Sequence, residues 1–318
     1  MRNSKLLSII IVNYNTGKFL LDCVKSIYSG HELSGFEIII IDNASSDDSL
    51  IQLKKEYPHI LLVNNKENLG FGKAVNQGIK IANNKFILLL NPDTIISSGC
   101  FDKMIAFLRN NPKAGACGPA IYNSDKNLQM SCHHFPGLLD IVFDKTHLNK
   151  IFSKNPLFGR YQMSYWAHDT LREVDWLTGA CFMIRAELFR AVNGFDPGFF
   201  MFSEDIDLCL RIKQKGFKCF YLPQATIIHY QSGSSDVIKN KSPVIAWESL
   251  ILFWQKHHNP FSLLCLKIIL TWDAWLKIAI LNILFLTLKT EKHKNPVLAE
   301  IAYFKQVLTI IKNSAKTS

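Results

Sequence analysis

The stretch KFILLLNPDTIIS (Lys85–Ser97) sets five apolar residues, Phe86 to Leu90, directly before Asn91, Pro92 and Asp93. A buried strand would end here on a proline held between two oxygen-bearing side chains. The proline alone reads as a turn, but a turn does not require a carboxylate at the mouth of the strand. Working outward, the same form recurs. LLSIIIV (6–12), FEIIII (36–41) and ILLV (60–63) are short apolar runs that also stop at polar residues. Their nearly continuous hydrophobicity predicts strands covered on both faces. The intervening segments 18–28, 46–56 and 71–82 read as helices. A β-α-β-α rhythm of this kind predicts an α/β fold on a mostly parallel sheet.

Ligands of such sheets bind outside the carboxyl ends of the strands. The exits are NYN (13–15), DNASSDDS (42–49), NNKENLGFG (64–72) and NPD (91–93). All four are polar, and four polar exits on one rim predict a polar cleft. Ser45 to Asp48 also read as a cap with first-turn acids for the next helix. Asp42 lies upstream of that cap, at the strand tip.

Composition narrows the classes. The 318-residue chain is 48% hydrophobic and carries a formal charge of +10. From Lys239 to Ser318 there are eleven Lys, no Arg and four acids, so this last quarter alone carries +7. A basic and greasy tail points to an anionic membrane surface and away from nucleic acid, whose binders use Arg freely. Eight scattered cysteines form no CxxC and no zinc spacing, which predicts reduced thiols serving as small hydrophobes. The start MRNSKLLSIIIVNYN imitates a signal peptide, but its apolar run ends at Asn13 with no cleavage site following, so it reads as a first core strand.

Two nucleotide signatures fail. GFGKAV (70–75) lacks the third glycine of a dinucleotide fingerprint, and there is no GxxxxGK[ST] phosphate loop. NPD instead puts two oxygen ligands on one side of a turn. A divalent cation bound with a diphosphate needs such a partial shell; a capped turn broken by Pro92 is the alternative. FFMFSEDIDLCLRIKQKGF (199–217) predicts a helix led by Glu204, Asp205 and Asp207. One or two acids suit a helix N-terminus. Three exceed that need, and an acid in a partly apolar mouth is suited to act as a general base. His229 ends a further apolar run, ATIIHYQSGSS (225–235), either as a structural residue or as a third ligand. The middle, 122–172, shows no period and reads as an excursion that shapes an acceptor pocket or a lid.

The ordered set SIIIVNYN, IIIIDNASSDDS, NLGFGKAVNQGI, LLLNPDTII, LTGACFMIRAELF, GFDPGFFMFSEDIDLCLRIKQKG and IIHYQSGSS resembles the family 2 glycosyltransferases over about residues 6 to 235. Within them it is most similar to the bacterial rhamnosyltransferase-like branch. The resemblance implies a GT-A fold over 1–235, with a nucleotide-sugar part (about 1–121) and an acceptor part (about 122–235). It implies that Asn13, Asn15 and Asp42 contact base and ribose, and that Asn68, Gly70 and Phe71 line the nucleotide pocket. Asn91 would face the sugar or ribose, and Asp93 would hold a divalent cation, Mg²⁺ or Mn²⁺. His229 would assist the metal or diphosphate, and Asp205 would be the catalytic base of an inverting transfer. Asn91 departs from the family's first Asp, and a neutral amide binds a cation less tightly.

The tail, 236–318, reads as a helical membrane-association region. SPVIAWESLILFWQKHHN (242–259) is amphipathic. Residues 260–289 are long and apolar enough for a span, but Lys267, Asp273 and Lys277 interrupt them. On a helical wheel Lys267, Thr271, Lys277, Asn282 and Lys289 share one half, which favours an interfacial helix over a span or a helix packed on the catalytic domain. Together these readings predict an enzyme peripheral to the cytoplasmic face of a bacterial inner membrane. It would take a sugar from a dTDP- or UDP-sugar, rhamnose first, to a lipid-linked or saccharide acceptor. A sugar-nucleotide-binding scaffold without activity is the competing class. A sugar nucleotidyltransferase is disfavoured, because the Gly/Arg/Lys-rich triphosphate loop it needs is missing.

Overall fold

The computed structural model describes residues 6–30, 36–230 and 236–314. The motif residues QSGSS (231–235) and the domain boundary expected at 235 lie outside them. The strands are β1 (Leu7–Asn13), β2 (Phe36–Asp42), β3 (Leu61–Asn64), β4 (Phe86–Leu90), β5 (Thr94–Ile96), β6 (Ala114–Tyr122), β7 (Leu128–Gln129), β8 (Cys132–His133), β9 (Arg172–Val174), β10 (Trp176–Leu177), β11 (Cys181–Arg185) and β12 (Lys218–His229). The helices are α1 (Lys18–Gly30), α2 (Ser49–Glu56), α3 (Phe71–Ile81), α4 (Cys100–Asn110), α5 (Leu138–Lys145), α6 (Leu148–Ile151), α7 (Ala186–Ala191), α8 (Glu204–Gln214), α9 (Asp236–His257), α10 (Pro260–Thr287) and α11 (Glu291–Asn313).

The main sheet runs β3-β2-β1-β4-β11-β6-β12-β5, with β7 on β6 and β9 on β12. Its first four strands are parallel, as the alternating pattern predicts. Register aligns their exits: Asn13 sits opposite Asp42, Asp42 opposite Asn64, and Ile11 opposite Leu90. The second half is mixed. β11 lies antiparallel to both β4 and β6, β12 runs parallel to β6, and β5 runs antiparallel to β12.

Alternation along β1 supplies both faces of the core. Ile9 and Ile11 point to a cluster with α1, α2 and α4, while Ile10 points to one with α3, α7 and α8. The second cluster continues into the tail through Ile251, Phe253 and Trp254 of α9, Leu266 and Leu270 of α10, and Val307 and Ile311 of α11. One expected strand departs from the pattern: β3 is an edge strand and leaves Leu61 exposed. The cysteines are free thiols, seven of them buried.

Candidate active site

At the first two exits the side chains are bolted to each other. Asn13 is fully buried. Its amide nitrogen donates to Asp42 Oδ1 at 2.8 Å and to the hydroxyls of Ser45 and Ser49 at 3.0 Å each, while its oxygen accepts from Thr16. Asp42 accepts further from the Ser45 hydroxyl (2.6 Å) and backbone N–H (3.0 Å). Asn15, at φ 53°, accepts from the Ser46 N–H at 2.7 Å. These two exits therefore form one rigid loop pair. The capping expectation is corrected here. Asp48 stands at the N-cap of α2 without a side-chain cap bond. Asp47 takes the Ser49 N–H and hydroxyl instead, and the Gly17 N–H with its other oxygen, because the loop must also tie down the β1 exit.

The third exit meets a strap made of residues 199–203. Asn68 Oδ1 accepts from the Gly70 N–H at 2.9 Å, and Asn43 donates to the Gly70 carbonyl at 3.1 Å. Gly70 has φ 82° and ψ 175°, a region open essentially to glycine alone. A Cβ there would lie 2.2 Å from the Phe200 carbonyl oxygen. That carbonyl accepts from the Phe71 N–H at 3.1 Å, so the strap is laid against the start of α3. Phe202 and Ser203, just before α8, both hold left-handed φ values (68° and 61°).

NPD and His229 converge. β12 is antiparallel to β5 with His229 opposite Thr94, one residue beyond Asp93. His229 Nε2 lies 3.2 Å from Asp93 Oδ1 and 3.4 Å from Asn91 Nδ2. Both Asp93 and His229 are buried. A carboxylate oxygen and an imidazole nitrogen so placed fit a divalent cation that takes its remaining oxygens from a diphosphate and water. Among the described residues no set of three His, Cys, Asp or Glu side chains comes together as a cation site.

Asp205 reaches the same rim. The segment Thr178–Ala180, just before β11, is the bridge. The Ala180 carbonyl accepts from the Asn91 N–H at 2.9 Å. The Gly179 N–H donates to Asp205 Oδ2 at 3.4 Å, and the Ile206 N–H donates to Oδ1 at 2.9 Å. Contacts therefore run unbroken from Asp205 through Gly179, Ala180, Asn91 and His229 to Asp93. A Cβ on Gly179 would lie 3.4 Å from the Phe71 ring, which places Phe71 beside this bridge.

Burial raises the Asp205 carboxyl to about 6, against the opposing pull of the backbone N–H donors around it. Burial, helped by the Asp205 charge, pushes the neighbouring Glu204 up to about 8. Glu204 Oε2 is buried without a hydrogen-bond partner. Asp205 is the less buried of the two carboxyls and has the lower proton affinity, so it gives up its proton first. Asp207 differs from both. It is ion-paired to Arg211 and accepts from His257 Nε2 at 2.7 Å, which makes it a structural anchor.

Three features escaped the sequence reading. Tyr161 approaches Asp205 closely enough for that charge, after burial, to raise its phenol. Its ring stacks on His133, which stacks on Trp176 at 4.3 Å, so the irregular middle supplies an aromatic wall. Gln129 bonds His229. Finally, α9 grips the strap and both its flanks: Ser249 donates to the Met201 carbonyl (2.8 Å), Lys256 pairs with Asp196 before the strap (2.6 Å), and His257 meets Asp207 of α8 after it. None carries a local motif.

A family model described as Glycosyl transferase family 2 matches residues 8–207. The chain belongs to that family. As an inverting glycosyltransferase it has curated relatives of known activity. The N-acetylglucosaminyl-diphospho-decaprenol L-rhamnosyltransferase of Mycobacterium tuberculosis (strain CDC 1551 / Oshkosh) is 28% identical over 72% of this chain and 78% of that protein. Rhamnosyltransferase WbbL of Escherichia coli (strain K12) is 31% identical over 70% of this chain and 82% of its own. Among solved structures, the mannosyltransferase PcManGT from Pyrobaculum calidifontis, in complex with GDP-Man and Mn²⁺, superposes with a TM-score of 0.55 at 14% identity, covering 98% of this chain and 85% of that one. That likeness bears out the GT-A fold of the transferase.

Proposed function

We propose that this glycosyltransferase moves rhamnose from dTDP-rhamnose onto a lipid-linked or saccharide acceptor during synthesis of a bacterial surface polysaccharide. The observation that carries the mechanism is the unbroken path from Asp205 to Asp93. Its two ends would serve the two halves of an inverting displacement. Asp205 takes the proton from the acceptor hydroxyl. Asp93 and His229 would hold Mg²⁺ or Mn²⁺, which would supply charge compensation to the nucleoside diphosphate. Asn91 faces the sugar or ribose. Asn13, Asn15 and Asp42 set the base and ribose side, and Asn68, Gly70 and Phe71 the pocket wall. The names of both relatives support rhamnose, and that of the Mycobacterium tuberculosis protein supports a diphospho-lipid acceptor. Purified protein should transfer sugar from dTDP-rhamnose in the presence of Mn²⁺ and lose that transfer with chelator. Turnover of UDP-hexoses in its place would replace the donor, and donor binding without any transfer would leave only a scaffold.

We further propose that the transferase lies on the cytoplasmic face of the inner membrane, catalytic domain 1–235 above and 236–318 below. α10 is long and apolar enough to cross a membrane by length and composition. Two of its charged residues, however, turn inward. Asp273 is largely covered and pairs with Lys277 at 2.9 Å, and the Lys277 ammonium sits over the Phe304 ring of α11. The stripe Leu266, Leu270, Ala274 and Ile278 is buried, while Phe261, Trp272, Trp275, Ile283 and Leu286 face outward. A helix held by α5, α9 and α11 does not cross a bilayer alone, and its outward face suits the lipid interface. Because α5 belongs to the acceptor half, this arrangement brings that half toward a lipid-linked acceptor. The doubly substituted variant Trp272→Ser/Trp275→Ser should lose binding to anionic vesicles while keeping wild-type transfer to a short soluble acceptor. Alkaline carbonate should release the wild type from membranes; extraction only by detergent would mean insertion.

A further inference from the structure

His229 makes a contact on its far side that the proposed mechanism does not use. Its Nδ1 lies 3.1 Å from Gln129 Oε1. Gln129 belongs to β7, which pairs with β6 so that Gln129 stands opposite Ile121. It is 100 residues away in the chain and sits in NLQM (127–130), a stretch with no motif.

The chemistry of the pair is directional. An amide oxygen only accepts, so the His229 Nδ1 that faces it carries the hydrogen. In a neutral imidazole the other nitrogen, Nε2, then presents a lone pair. Nε2 is the atom that faces Asp93 Oδ1 and Asn91 Nδ2. The ring is buried, so water does not readily take over the role of the amide. Metal-ligating histidines characteristically donate their second N–H to a carbonyl or carboxylate, which sets both tautomer and ring angle.

We propose that Gln129 is a positioning residue for the cation site: it holds His229 in the Nδ1–H tautomer with Nε2 aimed at the metal that accompanies the nucleoside diphosphate. This rests on the reading of Asp93 and His229 as the cation's protein ligands. It also assigns a task to the acceptor half. β7 leads through Ser131 into β8 and the aromatic wall at His133, so one continuous segment touches both the cation site and the acceptor side.

The test is Mn²⁺ binding in the presence of dTDP, followed by the electron paramagnetic resonance of free Mn²⁺, with dTDP affinity in the absence of metal measured alongside. Gln129→Leu should weaken Mn²⁺ binding by about 10- to 100-fold and leave metal-free dTDP binding and the melting temperature unchanged. Gln129→Glu, which accepts from Nδ1 as the amide oxygen does, should keep wild-type Mn²⁺ affinity. Wild-type affinity in Gln129→Leu would overturn the proposal. So would a Gln129→Glu variant as weak as the Leu variant, since that would mean the native amide donates to the ring. His229→Ala and Asp93→Asn serve as controls on the underlying reading. If neither changes Mn²⁺ affinity, the ligand assignment itself fails, independently of Gln129.

Discussion

Asp205→Asn is expected to lower turnover by about 10²- to 10⁴-fold, the usual contribution of a positioned general base, while donor affinity stays near wild type. The amide is nearly isosteric and still accepts one N–H through its oxygen, so the start of α8 should keep its shape. What it loses is the site that receives the acceptor proton. The pH profile gives a second reading of the same group. Burial raises Asp205 to about 6, so the base is charged and competent above that value and is progressively protonated below it. The wild-type rate at saturating donor should therefore fall as pH drops through about 6, and this limb should be missing from the residual activity of Asp205→Asn. A variant with undiminished turnover, or one that retains the acid limb, would remove Asp205 from the proton-transfer role.

A chain ended at residue 235 is expected to have no measurable transfer, even to a short soluble acceptor that needs no membrane. The reason is structural. α9 holds Met201, Asp196 and Asp207 on both sides of Asp205, and its Phe253 and Trp254 are buried in the same core cluster as α3 and α8. Trp254 is wholly buried, donates to the Ser262 hydroxyl at 3.1 Å and stacks on His258. Trp254→Ala in the full chain should cost about 3–5 kcal/mol, seen as a lower urea midpoint. The strap should loosen with it, raising the acceptor KM before the donor KM. Full-rate transfer by the truncated chain would show that the tail is only an anchor.

The legible parts of this protein are those written in short windows. Apolar runs of four to seven residues marked β1 to β4 to within about a residue, because strands covered on both faces need continuous hydrophobicity. The segment that forms β6, AGACGPAIY, carries no strand signal in its sequence although it is almost entirely buried. Gly, Ala and Pro carry little hydrophobic signal, and its burial comes from close packing between β11 and β12. The polar exits do lie along one rim, as their recurrence after each apolar run predicts. Asn13 and Asp42 were not recognisable as partners of each other, since their bond follows from parallel register across 29 residues.

By itself the sequence determined the parallel half of the sheet, the polar rim, the acidic start of α8 and the greasy, basic tail. All of these follow from periodicity and composition along neighbouring residues. Only the tertiary structure decided that β12 returns antiparallel to β5 and so brings His229 to Asp93, that Gly179 and Ala180 bridge Asp205 to Asn91, that Gln129 backs the His229 ring, and that α9 clamps the strap. Each of those contacts joins residues far apart in the chain, and it forms because packing two faces of one sheet leaves a single arrangement in which these polar groups are both buried and bonded.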